Sequence, residues 1–250
     1  GTRKKGTIAG SVSTVKSEKL ADVPAASFDQ ALQGQAPGLT VLANSGEPSA
    51  PASFTIRGIN SINSGTNPLF IMDGMPITAS DFNAINPSDI ESVSVLKDAS
   101  STSIYGARAA NGVIVITTKR GAMSRQDAQV TFRTQLGISQ LAQDNWNLMN
   151  TSERIAYEKE VGLDSGKDYA KLGLIDINWL DEVFNNAALL QTYDLQVSGA
   201  TDNLRYYVSG NIYDQDGVAV ESYFKRYTVR ANIDAQAKSW LKLGANVMLT

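Results

Sequence analysis

The sequence predicts an α+β domain over residues 1–121, followed by antiparallel strands of a membrane-spanning β-barrel over residues 128–250. In the first region, short apolar runs are separated by Gly, Pro, Asn and Ser, which is typical of compact strands joined by tight turns. In the second region, five longer runs alternate strictly between apolar and polar residues. The pattern changes at residues 119–129, so we expect the two regions to meet there.

Short strands and helices are predicted for the first region. One helix, at 27–34, has Ser27 as its N-terminal cap and ends at Gly34, and a second, at 98–104, begins at Asp98. The predicted strands are 39–43, 53–57, 69–73, 92–97 and 113–118. Residues 113–116 are all apolar, as expected of a strand that is covered on both faces. Strands mixed with short helices indicate the α+β class.

The five alternating runs of the second region have about the length of tilted membrane strands, roughly 9–11 residues. In the first run, Val130 and Phe132 alternate with Thr131 and Arg133. The runs lie near 130–139, 192–198, 203–212, 226–233 and 241–250. A soluble β-sandwich alternates in the same way, so the pattern alone leaves both folds open.

The connections between the runs favour the barrel. In chain order they are long, short, medium and short, at 140–190, 200–202, 214–222 and 235–239. Outer-membrane barrels place short turns on one side and longer loops on the other, and this order fits. The polar faces also carry charged residues that suit a water-filled interior, namely Arg133, Arg205, Arg226, Arg230 and Lys242.

The long first connection is predicted to contain helices of its own. Asn150-Thr151-Ser152-Glu153 has the form of a capping box before a helix at 154–161, and residues 179–184 are predicted to form a further turn or two. Loops of this length are uncommon without a role. The connection is therefore predicted to be a wall of an external binding cavity, with a decorated surface loop as the alternative.

Composition excludes several classes of function. The chain has no Cys and no His, so thiol chemistry, Ser-His-Asp catalysis and the usual zinc sites are excluded. The formal net charge is −3, and no basic patch supports a nucleic-acid partner. No apolar stretch approaches the ~18 residues of a membrane helix. Asp89 and Glu91 are predicted to be solvated at a strand edge rather than to form a catalytic pair.

Several stretches resemble a known family, the TonB-dependent outer-membrane transporters, and specifically their plug domain. They are Ile56-Arg57-Gly58, the run PLFIMDGMP at 68–76 and the long run at 90–113. The forms LQGQAPGLTV and LKDASSTSIYGARAANGVI are similar to the SusC/RagA branch of Bacteroidota. The second region agrees, because YYVSGNIYDQDG, FKRYTVRANID and SWLKLGANV resemble early barrel strands of that branch.

The resemblance implies a plug lodged in a barrel of about 22 strands in the outer membrane of a Gram-negative bacterium, with the plug accessible from the periplasm. It implies import of oligosaccharides or peptides together with a SusD-like surface lipoprotein, driven by TonB, which pulls on an N-terminal segment. That segment is expected upstream of Gly1. Because five strands cannot close a barrel, the chain is predicted to be part of a longer polypeptide.

Under this interpretation the protein is not an enzyme and needs no cofactor or metal. Two other functions stay open. One is a siderophore or cobalamin receptor, which shares the plug but usually lacks the lipoprotein lid. The other, from a different class, is a soluble β-rich binding module at the cell surface.

The resemblance implies a set of plug-motif and gating residues: Arg57, Gly58, Asp73, Gly74, Lys97, Asp98, Tyr105, Gly106, Arg108 and Gly112. The glycines are expected to serve backbone geometry at turns. The two arginines are expected to face carboxylates on the barrel wall and hold the plug, with ordinary solvated arginines as the alternative.

Substrate contacts are expected on external loops of both regions. The candidates are Asn60, Asn63, Asn67, Phe82, Trp146 and Trp179. Aromatic side chains there would stack on sugars or cover peptide side chains. The alternative is that these residues anchor loops against the barrel rim.

Overall fold

The computed structural model describes residues 12–16, 28–42, 52–56, 58, 67–98, 102–122, 124–141, 147–163 and 165–250. Twelve strands are described, in three sheets. The strands of the first region are β1 (Val12–Lys16), β2 (Leu39–Leu42), β3 (Ser53–Ile56), β4 (Leu69–Met72), β5 (Met75–Ile77), β6 (Ile90–Leu96) and β7 (Val113–Thr118). Five of them form a mixed sheet in the order β1-β6-β7-β4-β5, in which only β4 and β7 are parallel, and β2 pairs with β3.

Short helical segments connect these strands. They are α1 (Phe28–Leu32), α2 (Ala79–Asn83) and two 3₁₀ turns, Pro87–Asp89 and Ser103–Ala109. Within the range of the helix predicted at 98–104, the backbone N–H of Thr102 donates to the carbonyl of Asp98 at 3.0 Å. Residues 99–101, the predicted cap Ser27, Ala43 and Arg57 lie outside the described residues.

The core of this α+β domain is apolar and centred on aromatic rings. Phe82 is fully buried, and its ring lies 4.3 Å from Phe70, 4.9 Å from Phe28 and 5.1 Å from Phe54, centroid to centroid. Buried aliphatic residues of β6 and β7, such as Val93, complete the cluster. The domain therefore has a hydrophobic core of its own.

The second region is one antiparallel sheet in the order β12-β11-β10-β9-β8. We call this sheet the wall. Its strands are β8 (Gln126–Ser139), β9 (Ala188–Ala200), β10 (Leu204–Asp216), β11 (Tyr223–Lys238) and β12 (Leu241–Leu249). Each strand pairs with its neighbour in sequence, so the wall is a meander of hairpins. The described strands form an open sheet, and no described helix is both long and apolar enough to cross a membrane.

The long connection between β8 and β9 contains α3 (Thr151–Glu160), α4 (Tyr169–Leu172) and α5 (Trp179–Val183). The predicted capping box is confirmed, because Asn150 and Glu153 exchange side-chain and backbone hydrogen bonds at the start of α3. The predicted fold class, an α+β domain followed by an antiparallel strand sheet, is confirmed as well. Strands β1 and β5 and helix α2 were not predicted.

Candidate functional site

The two faces of the wall carry opposite kinds of side chain. Its outer face is apolar and exposed along every strand, as at Val130, Phe132, Leu195, Val208, Ile212, Val229, Ile233 and Val247. Cross-strand pairing makes these positions continuous, since Val197 lies opposite Val208 and Ala231 lies opposite both Val208 and Val247. The buried residues of the inner face are largely polar: Asp194, Ser209, Asn211, Arg226, Thr228, Arg230 and Asn232. This is the reverse of a water-soluble sheet and suits an outer face in lipid.

The hairpin turn between β4 and β5 presents a carboxylate to the wall. Asp73 and Gly74 have φ values of 49° and 91°, as a two-residue primed turn requires. The Asp73 carboxylate accepts hydrogen bonds from the backbone N–H of Thr118 at 3.0 Å and from its hydroxyl at 2.5 Å. It also forms an ion pair with Arg230 of β11, at 3.3 Å from Nη2 to Oδ2.

Arg230 is 2% exposed and lies between the domain and the wall. Its guanidinium contacts the sulfur atoms of Met72 at 3.9 Å and of Met248 at 3.4 Å. Asp73 is the carboxylate with which Arg230 forms an ion pair among the described residues. A buried pair of this kind adds little net stability, but removing one partner leaves a buried charge and costs about 3–5 kcal/mol. The pair therefore fixes where the domain sits on the wall.

A second contact lies at the Pro87–Asp89 turn. Asn86 caps this turn through its Oδ1, and its Nδ2 donates to Asp194 of β9 at 2.8 Å. The hydroxyl of Tyr207 in β10 donates to Asp89 at 2.9 Å. Burial raises the pKa of the Asp89 carboxyl above its ordinary value, and hydrogen bonds with Ser209 and Tyr207 oppose that shift without reversing it.

The prediction that Asp89 is solvated at a strand edge is wrong. The residue is 1% exposed, because the 3₁₀ turn before β6 directs its side chain towards the wall. The prediction holds for Glu91, which is exposed. The two carboxylates are two residues apart, so only a tertiary contact distinguishes them.

The segment at 119–121, which follows β7, forms several contacts with the wall. Asn232 donates from Nδ2 to the carbonyl of Lys119 at 2.7 Å, and Arg120 forms an ion pair with Asp234 at 3.3 Å. Gly121 lies so close to the β9–β10 hairpin that an added Cβ would be 2.5 Å from the carbonyl oxygen of Gly199. Only glycine fits this approach without a backbone shift.

Four predicted glycines, Gly58, Gly74, Gly106 and Gly112, all have positive φ, between 68° and 93°. At Gly112 a Cβ would also lie 2.7 Å from Cδ1 of Ile56. These geometries favour glycine, which pays no steric penalty there.

The other predicted motif residues lie within the domain. The Lys97 ammonium donates to the Ser13 hydroxyl at 2.7 Å and to the Pro37 carbonyl. Tyr105 packs on the small cluster around Val113. The carbonyl of Asp98 accepts from the backbone N–H of Thr102 at 3.0 Å. These contacts connect segments of the domain with one another.

Arg108 is exposed and forms no ion pair with any carboxylate that the structure describes. Arg57 lies outside the described residues. The contact that the structure does contain has the opposite polarity from the one expected, with the carboxylate of Asp73 on the domain and the guanidinium of Arg230 on the wall. The position of Arg230 on the polar face of its strand was the signal in the sequence for this contact.

The structure places the predicted substrate-facing residues in different surroundings. The prediction is wrong for Phe82, whose ring is fully buried in the aromatic core because helix α2 packs against α1. Asn67 is exposed, and its carbonyl accepts from Asn111 at 3.4 Å. Trp179 is exposed on the long connection. Asn60, Asn63 and Trp146 lie outside the described residues.

Within the described part of the chain, no group of three or more His, Cys, Asp and Glu side chains could hold a metal ion. The site is instead an interface between a small domain and a sheet whose polar side is turned towards that domain. Together, the inward polar face, the outward apolar face and the seated domain define the class of barrel walls that enclose a plug.

Comparisons with known proteins identify the family. Residues 4–113 match the TonB-dependent Receptor Plug Domain. TonB-dependent receptor P3 of Formosa agariphila is 40% identical over 248 residues, which is 99% of this chain and 24% of that protein. TonB-dependent receptor SusC of Bacteroides thetaiotaomicron is 34% identical over 240 residues, or 93% of this chain and 23% of that protein. The chain thus spans about a quarter of these relatives.

Solved structures that align with this chain indicate the same family. The RagAB peptide importer in its open-open state aligns with a TM-score of 0.87 and 38% identity, over 99% of this chain and 31% of that one. The siderophore receptor PirA from Acinetobacter baumannii, with a TM-score of 0.57 and 19% identity, shares the fold alone. The chain belongs to the TonB-dependent receptors of the SusC/RagA type, as their plug and the strands that follow it. These are outer-membrane proteins of Gram-negative bacteria.

Proposed function

We propose that this chain is the gate region of a SusC-like importer, in which the plug closes the barrel lumen until TonB displaces it. The observation that carries the proposal is the polar seat of the plug on the wall, with Arg230 paired to Asp73 and Tyr207 bonded to Asp89. We place the plug at residues 1–121 and the first barrel strands at 128–250.

A polar seat suits a plug that must move. Water can replace each hydrogen bond that the plug loses to the wall, so displacement exposes little apolar surface. The aromatic core around Phe82 lies inside the domain, and Met248 of the wall packs against the cluster to which it belongs. The free energy for displacement would come from TonB. The gate breaks no covalent bond, so the proposal assigns no enzymatic activity, cofactor or metal.

The substrate and the partners are inferred from relatives. The aligned RagAB structures are described as a peptide importer, and the relative SusC belongs to the same branch. We infer that the substrate is a peptide or an oligosaccharide and that a SusD-like surface lipoprotein covers the barrel. A siderophore or cobalamin receptor is less well supported, because the siderophore receptors that align are only 16–19% identical.

Predicted residues that the structure leaves undecided keep proposed roles. Arg57 and Arg108 are proposed to contact carboxylates elsewhere on the barrel wall. Asn60, Asn63, Asn67, Trp146 and Trp179 are proposed to face the external substrate cavity.

Purification of the full-length protein from outer membranes would test the proposal. We expect a lipoprotein to co-purify, and mass spectrometry of retained ligands to show a peptide or an oligosaccharide. Uptake of that ligand in cells should stop when the proton gradient is collapsed. A protein that extracts without detergent, or uptake that survives loss of TonB, would reject the gate.

A further inference from the structure

The long connection between β8 and β9 is built as a compact unit. Its helix α3 is capped at Asn150. The Thr151 hydroxyl donates to the carbonyl of Ile175 at 2.7 Å, and the Thr151 N–H donates to Asp176 at 3.0 Å. These bonds bring segments more than twenty residues apart against the start of α3, which gives the connection a fixed surface.

A buried carboxylate stabilises this unit. Glu158 is 7% exposed. Its carboxylate accepts from the Lys167 ammonium at 2.7 Å, Arg154 Nε at 2.8 Å and the Tyr169 hydroxyl at 3.2 Å. The bonds from Lys167 and Arg154 lower the pKa of Glu158 to about 2, so it stays ionised at any pH the cell surface meets.

These charged groups line a cavity of about 330 Å³, within the size range of small-ligand sites. Its other lining residues are mostly apolar or aromatic: Met149, Ile155, Tyr169, Ile175, Ile177 and Trp179. Trp179 is 63% exposed, which leaves its ring free to cover a ligand. Aliphatic walls offer few partners for the hydroxyl groups of a sugar, and they favour an apolar side chain.

The charge of the lining favours an anion. Arg154 and Lys167 each carry a positive charge and Glu158 a negative one, which leaves a surplus of one positive charge. Arg154 bonds Glu158 through Nε, and its two terminal nitrogens have no hydrogen-bond partner within the described ranges. Its side chain is 62% exposed, so this planar fork is open to a second carboxylate.

Two further carboxylates of the connection, Asp176 and Asp181, lie outside the lining and have donors of their own. Asp176 accepts from Thr151, and Asp181 accepts from Asn178 and Asn186.

We propose that this cavity binds the C-terminal end of a peptide, with the terminal carboxylate on Arg154 and the last, apolar side chain against Trp179. The proposal rests on the proposed import function and narrows its substrate to peptides with a free, apolar C-terminus. Arg154 would then determine specificity, because an amidated end or a neutral sugar leaves the fork without its anion.

Calorimetry on the purified full-length protein in detergent would test this with three probes: Ala-Ala-Leu, its C-terminal amide and maltotriose. We expect the free acid to bind about tenfold more tightly than the amide, since a charge-assisted pair is lost in the amide. Arg154→Gln keeps a side-chain N–H donor for Glu158 but removes the cation and its fork, and should abolish that difference. The matched control, Lys171→Gln on the same connection, should retain it.

Equal affinity for acid and amide in the wild type would overturn the proposal, as would a difference that persists in Arg154→Gln or the absence of any binding. Tighter binding of maltotriose than of Ala-Ala-Leu would also overturn the proposal, in favour of a glycan. Energised uptake by whole cells separates this failure from that of the import function. Uptake with no acid-over-amide preference rejects only the cavity, whereas absence of uptake by the wild type rejects the importer.

Discussion

The plug and the wall bury opposite kinds of side chain. In the plug, Phe82 is 0% exposed among other aromatic rings, whereas Phe132 on the wall is 63% exposed. The buried positions of the wall are largely polar instead, with Arg230 at 2% exposure. A strand pattern fixes which residues share a face, and the surroundings decide which face is buried.

This difference separates two kinds of stability. Burial of apolar area, almost all of it within the domain, holds the plug together. Polar contacts hold the plug on the wall, and water can replace them. Changes in the plug core should therefore unfold the plug, while changes at the seat should loosen it without unfolding it.

The largest effect is expected for Phe82→Ala, which opens a cavity in the plug core. We expect a loss of about 3–5 kcal/mol of stability, because a buried phenylalanine is truncated. Hydrogen exchange of the β7 amides in the full-length protein would measure it. Phe132→Ala, on the exposed outer face, is the control and should leave this exchange unchanged. Equal effects would show that the two regions share one core.

Arg230→Met should loosen the plug on the wall, because Asp73 would lose its buried cation. The expected cost is about 3–5 kcal/mol. It would be observed as passive solute leak through the protein in lipid vesicles. Adding Asp73→Asn should restore much of the seal, since asparagine tolerates the positive φ of this turn. Arg133 lies on the same polar face but is exposed, so the Arg133→Met protein should leak no more than the wild type. An equal leak in Arg133→Met would show that Arg230 has no special role in holding the plug.

Val208→Lys tests the outer face. Val208 lies in the apolar band of β10, and a lysine there would enter lipid at a cost of about 2–4 kcal/mol. Reversible folding into lipid vesicles would measure this cost. Asp202→Lys, on the exposed turn before the same strand, should be tolerated. Tolerance at both positions would contradict a lipid-facing band.

The smallest effect concerns pH. Since burial raises the pKa of Asp89, its carboxyl group binds a proton more tightly when the plug is folded on the wall than when the plug is unfolded. The resulting stabilisation is complete below the ordinary aspartate pKa of about 3.9 and is lost as pH rises through the raised value. Plug stability should therefore fall with pH over that window, by at most about 1.4 kcal/mol per unit.

Denaturant midpoints at several pH values would measure this slope. Asp89→Asn should flatten it, and Glu91→Gln, two residues away and exposed, should not. An unchanged slope in Asp89→Asn would assign the proton to another group.

The elements that were predicted well are those with local signals. The strand Val113–Thr118 agrees with its predicted bounds, and the capping box at Asn150 was evident from four residues. Strand β5 was missed because three residues show no period. The solvated interpretation of Asp89 failed because its burial depends on Tyr207, which is 118 residues away.

The sequence by itself determined the two regions, the faces of the five wall strands and the family resemblance carried by residues 90–113. These follow from periodicity, turn residues and contiguous motifs, which are local properties of the chain. Only the tertiary structure decided that Arg230 meets Asp73 across 157 residues and that Phe82 lies in the core. Such pairings depend on how the plug lies against the wall, and no local pattern encodes that geometry.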